Sequence, residues 1–407
     1  MTIVSELWIC IIKKKKKKKR GGDKYKKKKK KKKKKKLTNI QEATDFVRGC
    51  TFYATGGGGL PENGIESLMS EINEKGFVQI TDISEIPDDA VAVCPFLMGS
   101  IAPHDEATLK EMAGFGFIDG VNKEKARLAK AIQELEAYIG VKTTVVVPIE
   151  LAGANTSGPI SAGSSLGMMA VDGDYCGRAI PEILQITPYL YDRKWLPVAS
   201  VDEWDNVCII KKATNLRVVE RIGKLISAGA YGLAGQAGFI MSGKELKETV
   251  IAGTLSKSYE LGKFIREAQE AHLDHIPQKI AEKVGGWVLA EGKRTDFEDE
   301  DRIGYYWGTT TIQSDAGDEY KIWFKNENHV CWKNGEPFVS SPDLICVVDR
   351  HTGEPIPNPK MRQAQEVAII VLPCDERLRQ DKIKKVLDPQ YFGFEDISYV
   401  PVEERMK

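Results

Sequence analysis

The run of residues 143–147, Thr-Thr-Val-Val-Val, constrains the fold of this chain most. It is β-branched throughout and stops at Pro148. Such a run is typical of a strand that is buried on both faces, as in a parallel sheet covered by helices. Residues 157–169 are rich in small side chains and suit a closely packed helix, and residues 170–171 predict a second short strand. The sequence therefore predicts neighbouring strands of an α/β domain.

Polar side chains follow both of these predicted strands. The first strand leads to Glu150, Gly153 and Asn155, and the second leads to Asp172 and Asp174, followed by Arg178 and Glu182. In open α/β sheets, ligands bind outside the carboxyl ends of the strands. Each acid taken singly also fits a loop residue that caps the next helix and pairs with Arg178. The set as a whole favours a functional site at this edge.

A glycine-rich turn, residues 56–59, precedes a predicted helix at residues 60–75. Glycines allow positive φ and a close approach of the backbone to a ligand or to a packed helix. Such turns can also hold phosphate on free N–H groups. No Lys-Ser or Lys-Thr follows, however, and Pro61 and Gly64 interrupt the dinucleotide fingerprint, so the pattern indicates a tight turn beside a site more strongly than a phosphate loop.

The order of the predicted elements indicates two domains between flanking segments. Strands and helices alternate over residues 37–284, which predicts an α/β domain with a mixed or parallel sheet. Short strands with turns between them fill residues 285–380 and predict a smaller, mostly β carboxyl-terminal domain. We expect residues 381–407 to form a polar tail.

The charge is unevenly distributed along the chain. Residues 1–36 hold 20 of the 59 basic residues and two of the 58 acidic ones, which leaves 39 basic and 56 acidic residues and a net charge of −17 for the rest. An acidic body argues against nucleic-acid binding. We expect residues 1–36 to be a disordered lysine-rich tail, either without a role or an artefact of a translated A-rich stretch or a wrong start site.

Eight cysteines are scattered without a C-x-x-C pair, and no run of about 18 apolar residues is present. The spacing signals neither a zinc knuckle nor a redox pair, and no secretory signal precedes it. We therefore expect reduced thiols, no membrane segment and a cytoplasmic protein. The small-residue stretch 229–238 can pack within one subunit or between subunits, which leaves a homo-oligomer open.

Several motifs together resemble one known family, the S-methyl thiohydantoin desulfurase family. The resemblance runs in order from about Leu37 to Asp375. Its motifs are Thr55-Gly56-Gly57-Gly58-Gly59, Glu150 with Gly153-Ala154-Asn155, Asp172-Gly173-Asp174 with Gly177-Arg178 and Glu182, Leu255-Ser256, Asn326-Glu327-Asn328, and Pro342-Asp343-Leu344 with Asp349.

The resemblance implies an α/β amino-terminal domain, a mostly β carboxyl-terminal domain and hydrolysis of a C–S bond on a five-membered thiohydantoin ring. That reaction releases a thiol and leaves a hydantoin. Such chemistry needs a general base, for which Asp174 is the first candidate and Glu150 the second, with Asp172 and Asn155 as the other catalytic candidates. The substrate-binding residues predicted from the motifs are Gly57, Gly58, Gly59, Arg178, Glu182, Asn326 and Glu327.

The cofactor question stays open at this point. If a divalent metal such as zinc takes part, then Asp172, Asp174 and Glu150 are its oxygen ligands and His104 is its nitrogen ligand. Two other functions also remain. One is a nucleotide-binding protein that uses the glycine-rich turn, as in the hydantoinase and oxoprolinase neighbourhood of the family, and the other is a non-catalytic sensor or partner subunit for a small molecule.

Overall fold

The structure is a computed structural model that describes residues 35–100, 104–118, 120, 123–302 and 304–407. The predicted lysine-rich tail therefore lies outside the described residues, except for Lys35 and Lys36, which belong to a strand. The helices of the described part are α1 (Ile40–Tyr53), α2 (Pro61–Lys75), α3 (Glu106–Gly114), α4 (Glu124–Ile139), α5 (Gly153–Ser165), α6 (Thr187–Leu190), α7 (Leu216–Gly229), α8 (Gly243–Thr249), α9 (Thr254–Glu270), α10 (Ile276–Val284), α11 (Asp381–Leu387) and α12 (Val402–Arg405).

The strands alternate with these helices in the first two thirds of the chain and follow one another directly after residue 286. They are β1 (Lys35–Leu37), β2 (Val78–Thr81), β3 (Val91–Gly99), β4 (Val145–Val146), β5 (Met169–Val171), β6 (Gly173–Asp174), β7 (Val198–Val201), β8 (Val207–Ile210), β9 (Leu233–Ser242), β10 (Ile251–Ala252), β11 (Trp287–Arg302), β12 (Tyr305–Ser314), β13 (Glu319–Lys325), β14 (Glu327–Lys333), β15 (Glu336–Ser340), β16 (Leu344–Asp349) and β17 (Glu366–Leu372).

The amino-terminal domain is built on a mixed sheet, as predicted. Its strand order over the described residues is β1-β2-β5-β4-β3-β9-β7-β8. The central strands β2, β5, β4 and β3 are parallel, whereas β1, β9, β7 and β8 add antiparallel pairs at the sides. Val145 and Val146 of β4 are fully buried, which is why this short strand is β-branched.

The helix between the two central strands begins earlier than the sequence predicts. We expected it at residues 157–169, but α5 runs from Gly153 to Ser165. Small side chains at its start allow the helix to begin directly against the start of α2: an added Cβ on Gly153 would lie 3.2 Å from the Cα atom of Pro61. The shift places Asn155 inside the first turn of a helix rather than in a loop.

The carboxyl-terminal domain is mostly β. Its antiparallel sheet has the order β15-β14-β13-β12-β11-β17-β16. The largest apolar core continues from α1 and the first sheet to Cys346 of β16 and Ile370 of β17, so the two domains share it. The first strand of this sheet starts at Trp287, whereas β9, which precedes it, still pairs inside the first sheet with β3 and β7. Residues 233–238 thus pack within the subunit.

The last residues differ from the expected polar tail. Helix α11 buries Ile383 and Leu387, and Val402 at the start of α12 is fully buried. The N–H of Val402 donates to the buried carboxylate of Asp343 over 2.8 Å. The overall composition of this segment is polar, but its apolar side chains, spaced among lysines and acids, are buried against the rest of the fold.

Candidate functional site

A partly open cavity of about 90 Å³ lies where the two domains meet. On the amino-terminal side it is bounded by the glycine-rich turn, the carboxyl end of β3 and the segments that follow β4. On the other side it is bounded by α7, by strand β12, by the start of β14 with the residue before it, and by the segment 357–359. The lining residues are Gly56, Gly57, Gly58, Gly59, Phe96, Leu97, Met98, Gly99, Ile149, Glu150, Asn155, Ile180, Pro181, Glu182, Ile183, Lys224, Leu233, Tyr306, Asn326, Glu327, Pro357 and Pro359.

Glu150 lies four residues beyond β4 and is held by two donors. Its Oε1 accepts from Asn155 Nδ2 over 2.8 Å, and its Oε2 accepts from the N–H of Ile180 over 2.7 Å. Burial raises the pKa of this carboxyl to about 7, with a further increase from the charge of Asp174, although both hydrogen bonds work in the opposite direction. Glu150 is therefore partly protonated and partly ionised near neutral pH.

Asn155 fixes the position of the Glu150 carboxyl. Its Oδ1 accepts from the N–H of Leu97 over 2.7 Å, and its backbone N–H donates to Gly58 O over 3.3 Å. Because the amide oxygen is already engaged by Leu97, only the Nδ2 group can face Glu150. The first turn of α5 thus ties together the end of β3, the glycine-rich turn and the acid.

Glu327 brings a second buried carboxyl to the same cavity from the other domain. Burial raises its pKa well above the ordinary value, and the charge of Glu150 raises it further. Within the described part of the chain, Glu327 Oε2 is buried without a hydrogen-bond partner. A Cβ added at Gly57 would lie 2.0 Å from Glu327 Oε1. A side chain at position 57 would therefore displace this carboxyl from its place in the cavity.

A kink in the second sheet directs Glu327. Asn326, between β13 and β14, has a φ of 59°, a left-handed conformation that asparagine adopts more readily than most residues. Its Oδ1 accepts from the N–H of Tyr306 over 2.9 Å, and its carbonyl accepts from Asn358 Nδ2 over 2.9 Å. Irregular strand pairing of this kind is common beside functional sites.

Cationic side chains complete one wall of the cavity. Lys224 of α7 is 5% exposed, and burial lowers its pKa. Its Nζ donates to Gly304 O over 3.2 Å. Glu182 pairs with Lys325 and accepts a 2.5 Å hydrogen bond from the Tyr391 hydroxyl. The wall therefore contains a buried ammonium group next to a carboxylate that is already neutralised.

Asp172 and Asp174 do not line the cavity. Asp172 accepts from the N–H and the hydroxyl of Ser256, over 2.9 and 2.6 Å, at the start of α9. Asp174 Oδ2 accepts from the N–H groups of Cys176 and Gly177, over 2.8 and 2.6 Å. Burial raises the pKa of Asp174 to about 6. Both acids thus organise a helix start and a turn, and this geometry gives no support to Asp174 as the first candidate for the base.

Arg178 connects the two domains and is fully buried. Its Nε donates to Ala179 O, and its two terminal nitrogens donate to Pro342 O, Asp343 O, Asn328 O and Thr55 Oγ1, over 2.8–3.2 Å. All five guanidinium N–H groups are therefore used. The side chain does not line the cavity, so it supports the site rather than binding a ligand there.

The four predicted metal ligands are not brought together. His104 is exposed and borders a different surface groove, while Asp172 and Asp174 are engaged at α9 and in the turn. Over the described ranges, no group of three or more histidine, cysteine, aspartate or glutamate side chains has the arrangement of a metal site. The oxygen and nitrogen set expected from the sequence therefore does not fit a single ion.

The glycine-rich turn packs against the start of α5 and against Glu327. Added Cβ atoms on Gly58 and Gly59 would lie 2.2 Å from Ala152 Cβ and 2.7 Å from Ala154 Cβ. The glycines thus allow the turn to pack closely against the start of α5. This corresponds to the tight turn beside a site, the first of the two interpretations of the sequence. Two carboxyl groups share the cavity with it, and negative charge there opposes phosphate binding.

Lys224 and Tyr306 are cavity residues that the sequence analysis did not single out. Lys224 follows Glu220 at a spacing of four residues in α7, and in the sequence such a pair is indistinguishable from an exposed helix pair. In the structure, Glu220 and Lys224 both lie on the buried face. In the sequence, the feature that could have pointed to Lys224 was this opposite-charge pair on a strongly amphipathic helix.

Comparisons with known proteins agree with this architecture. Residues 41–212 match a family model described as the S-Me-THD-like N-terminal domain, and residues 213–402 match the S-Me-THD-like C-terminal domain. The two models meet at residues 212 and 213, whereas we predicted the domain boundary at residues 284 and 285. The difference concerns β9 and the helices around it, which pack with the first sheet.

A solved structure also shares the fold. A crystal structure of a protein from Chromobacterium violaceum aligns with a TM-score of 0.71 at 20% sequence identity, and the alignment covers 90% of this chain and 100% of that one. No curated protein matches the chain. Among the described residues, no helix is both long enough and apolar enough to cross a membrane.

Proposed function

The chain belongs to the S-Me-THD-like family, and from that premise we propose that it is a hydrolase of a five-membered cyclic thioamide derivative. The substrate is a ring of the S-methyl thiohydantoin type. The products are a hydantoin and a thiol. Glu150 and Glu327, which both line the cavity, take the roles of general base and general acid.

One observation carries this proposal: two buried carboxyl groups from different domains line one small cavity. Their pKa values differ, because Glu150 is raised to about 7 and Glu327 well above its ordinary range, in both cases chiefly by burial. Two acids whose environments separate their pKa values supply one base and one proton donor at the same pH. Near neutral pH, the ionised fraction of Glu150 serves as the base, and Glu327, whose pKa is raised further above its ordinary range, serves as the proton donor.

The reaction follows from these protonation states. Ionised Glu150 takes a proton from a water molecule, and the water oxygen forms a bond to the ring carbon that bears the methylthio group. Protonated Glu327 gives its proton to the adjacent ring nitrogen, so C=N becomes C–NH. The C–S bond then breaks and the carbonyl forms: Glu150 gives its newly acquired proton to the departing sulfur, which leaves as methanethiol, and the hydroxyl proton passes to Glu327, so both acids return to their starting states. One water is consumed, and no oxidant or reductant is required.

Other cavity residues have supporting roles. Asn155 holds the Glu150 carboxyl in place through the 2.8 Å hydrogen bond to Oε1. Lys224 provides positive charge in a buried setting, where it can stabilise negative charge that develops on the ring during attack. The apolar side chains of Phe96 and Ile149 limit the access of bulk water.

Cavity size supports a small ring over a nucleotide. Its volume of about 90 Å³ is well below the ~300–1,000 Å³ typical of drug-sized ligand pockets. Together with the two carboxyl groups, the size of this cavity favours a small ring over a nucleotide. A non-catalytic sensor would bind the ring without turnover, so a turnover measurement distinguishes the sensor from the hydrolase.

The test is turnover of an S-methyl thiohydantoin by the full chain, with hydantoin formation and methanethiol release followed by proton NMR. We expect Glu150→Gln and Glu327→Gln each to reduce kcat by about 10²–10⁴-fold. Asp174→Asn is the matched comparison, because it removes a buried acid outside the cavity, and we expect its kcat to stay within about tenfold of the original.

Two results would overturn the proposal. The first is a folded protein that releases no thiol from any member of a panel of thiohydantoins and hydantoins. The second is a reversal of the variants, with activity lost in Asp174→Asn and retained in Glu150→Gln. Parallel assays with a chelator test whether a divalent metal such as zinc takes part, and binding without turnover favours a sensor.

A further inference from the structure

A short segment of the carboxyl-terminal domain, residues 357–359, forms part of the cavity wall. Pro357 and Pro359 are among the described residues that line the cavity, whereas Asn358 between them is not. The Asn358 side chain is 1% exposed. A buried amide of this kind must find its hydrogen-bond partners within the protein, so its partners indicate what it holds in place.

The Asn358 amide binds the residues on both sides of Glu327. Its Nδ2 donates to Asn326 O over 2.9 Å and to Asn328 Oδ1 over 3.1 Å, which uses both amide hydrogens. Asn326 is the left-handed residue at which the chain turns into β14. The N–H of Asn328 in turn donates to Thr55 O over 2.7 Å. One side chain therefore fixes the chain directly before and directly after the acid.

The acceptors also determine the orientation of this amide. Asn328 Nδ2 donates to Ile345 O over 2.9 Å, so its Oδ1 is the atom that faces Asn358. A rotated Asn358 amide would place its own oxygen against that atom and against Asn326 O. Within the described residues, Asn358 Oδ1 is buried without a hydrogen-bond partner. The donor side of the amide therefore carries its interactions.

Asn358 also contacts the glycine-rich turn. Its backbone N–H donates to Gly56 O over 2.8 Å, and an added Cβ on Gly56 would lie 2.5 Å from Asn358 Nδ2. The next residue of the turn, Gly57, is the one that leaves space for Glu327 Oε1. Asn358 thus sets the distance between the turn and the strand start that carries the acid.

The carboxyl of Glu327 depends on its backbone for its position. Glu150 is held by donors to both of its oxygens, whereas Glu327 Oε2 has no hydrogen-bond partner in the described part of the chain. The charged groups that face Glu327 are Glu150, Arg178 and Lys224. A reactive side chain with few partners of its own needs a rigid supporting shell, which here is the chain on either side of it.

We propose that Asn358 is the positioning residue of the Glu327 carboxyl: it binds both neighbours of this acid and the glycine-rich turn, and so holds the carboxyl inside the cavity. The inference rests on the proposed function for the role of Glu327 as the proton donor. Asn358 acts through Glu327 and does not contact the ring. Without the two hydrogen bonds from its amide, the start of β14 is free to shift, the carboxyl reaches water, and the proton is no longer delivered to the ring nitrogen.

The kinetic test uses Asn358→Ala, with Gln269→Ala as the matched control. Gln269 Nε2 likewise donates two hydrogen bonds, to Thr352 O over 2.9 Å and to Glu354 Oε2 over 3.2 Å, and none of these residues lines the cavity. In Asn358→Ala, we expect kcat for an S-methyl thiohydantoin to fall about 10–100-fold while KM stays within about threefold. The alkaline decline of kcat should move to lower pH by roughly one unit, because a Glu327 carboxyl that reaches water loses its proton more easily. In the control, kcat, KM and the pH profile should be unchanged.

A milder variant keeps the test informative if the alanine variant is unstable. Asn358→Ser retains one donor, so we expect smaller changes of kcat and of the alkaline decline in the same direction. A fall in kcat that leaves the pH profile unmoved in both variants would identify a merely structural residue and refute the positioning role.

The titration of Glu327 itself separates this inference from the proposed function. It is followed by NMR of isotope-labelled glutamate carboxyl groups, and Glu327→Gln assigns the resonance. A titration that is unchanged in both Asn358 variants refutes the positioning role, even where the protein releases thiol. A titration that moves to lower pH in these variants and not in Gln269→Ala, in a protein without turnover, supports the positioning role and refutes the hydrolase.

Discussion

The clearest physical consequence of the site is an unusual pH dependence of stability that comes from Glu150. Its pKa is raised from the ordinary 4.5 to about 7 in the folded protein, mainly because the carboxyl is buried. The folded state therefore holds a proton that the unfolded state has lost between about pH 4.5 and pH 7. The stabilisation from this group is complete below pH 4.5 and is lost as the pH rises to 7.

The size of the effect follows from the difference of about 2.5 pH units. At 1.36 kcal/mol per unit, it corresponds to about 3 kcal/mol of unfolding free energy. In Glu150→Gln the unfolding free energy lacks this dependence on pH. The variant has its own cost of about 1–3 kcal/mol, because an amide nitrogen now faces the donors of Asn155 or Ile180. That cost does not change with pH, so the variant should gain about 3 kcal/mol relative to the original protein between pH 4.5 and pH 8.

Urea unfolding followed by tryptophan fluorescence at several pH values measures this difference. The charge of Glu150 also raises the pKa of Glu327, so the observed change belongs to the pair. Glu136→Gln is the matched control. Hydrogen bonds from Lys142 and Thr143 outweigh burial and lower the pKa of Glu136, so its slope has the opposite sign and lies below pH 4.5. Parallel stability curves for Glu150→Gln and the original protein, within about 1 kcal/mol, would refute the reasoning.

Three further predictions rest on other parts of the structure. Gly57→Ala should fold but lose most thiol-releasing activity, because its Cβ would displace the Glu327 carboxyl, and NMR of the reaction checks this. Arg178→Lys should lower the free energy of unfolding by about 2–4 kcal/mol, since three donors cannot replace five hydrogen bonds, as urea denaturation would measure. Iodoacetamide at pH 8 should modify exposed Cys208 and spare Cys176, whose pKa is raised by burial, and peptide mass mapping distinguishes the two.

Each of these predictions has a control in the chain. Gly114→Ala adds a Cβ where no atom lies within 4 Å and should leave activity unaffected. Arg405→Gln, on the exposed face of α12, should change stability by less than about 0.5 kcal/mol. Denatured protein should be modified at Cys176 as readily as at Cys208. Loss of activity in Gly114→Ala, or an Arg178→Lys protein as stable as the original, would contradict the packing described here.

The sequence by itself determined the class of each domain. The β-branched run that forms β4 and the alternation of strands and helices specified an α/β domain, and the short strands after residue 285 specified a β domain. These patterns are local, because strand and helix periodicities repeat within a few residues. The motifs also named Glu150, Asn155 and Glu327 as site residues, and all three line the cavity.

Only the tertiary structure decided how the acids are grouped. Asp172 and Asp174 belong to the same motif as Arg178, yet they cap α9 and a turn, because their strand end meets a helix start that lies 84 residues further along the chain. Glu150 and Glu327 are 177 positions apart and meet in one cavity. Both carboxyl groups owe their raised pKa values to burial there, and burial arises from long-range packing that no local periodicity encodes.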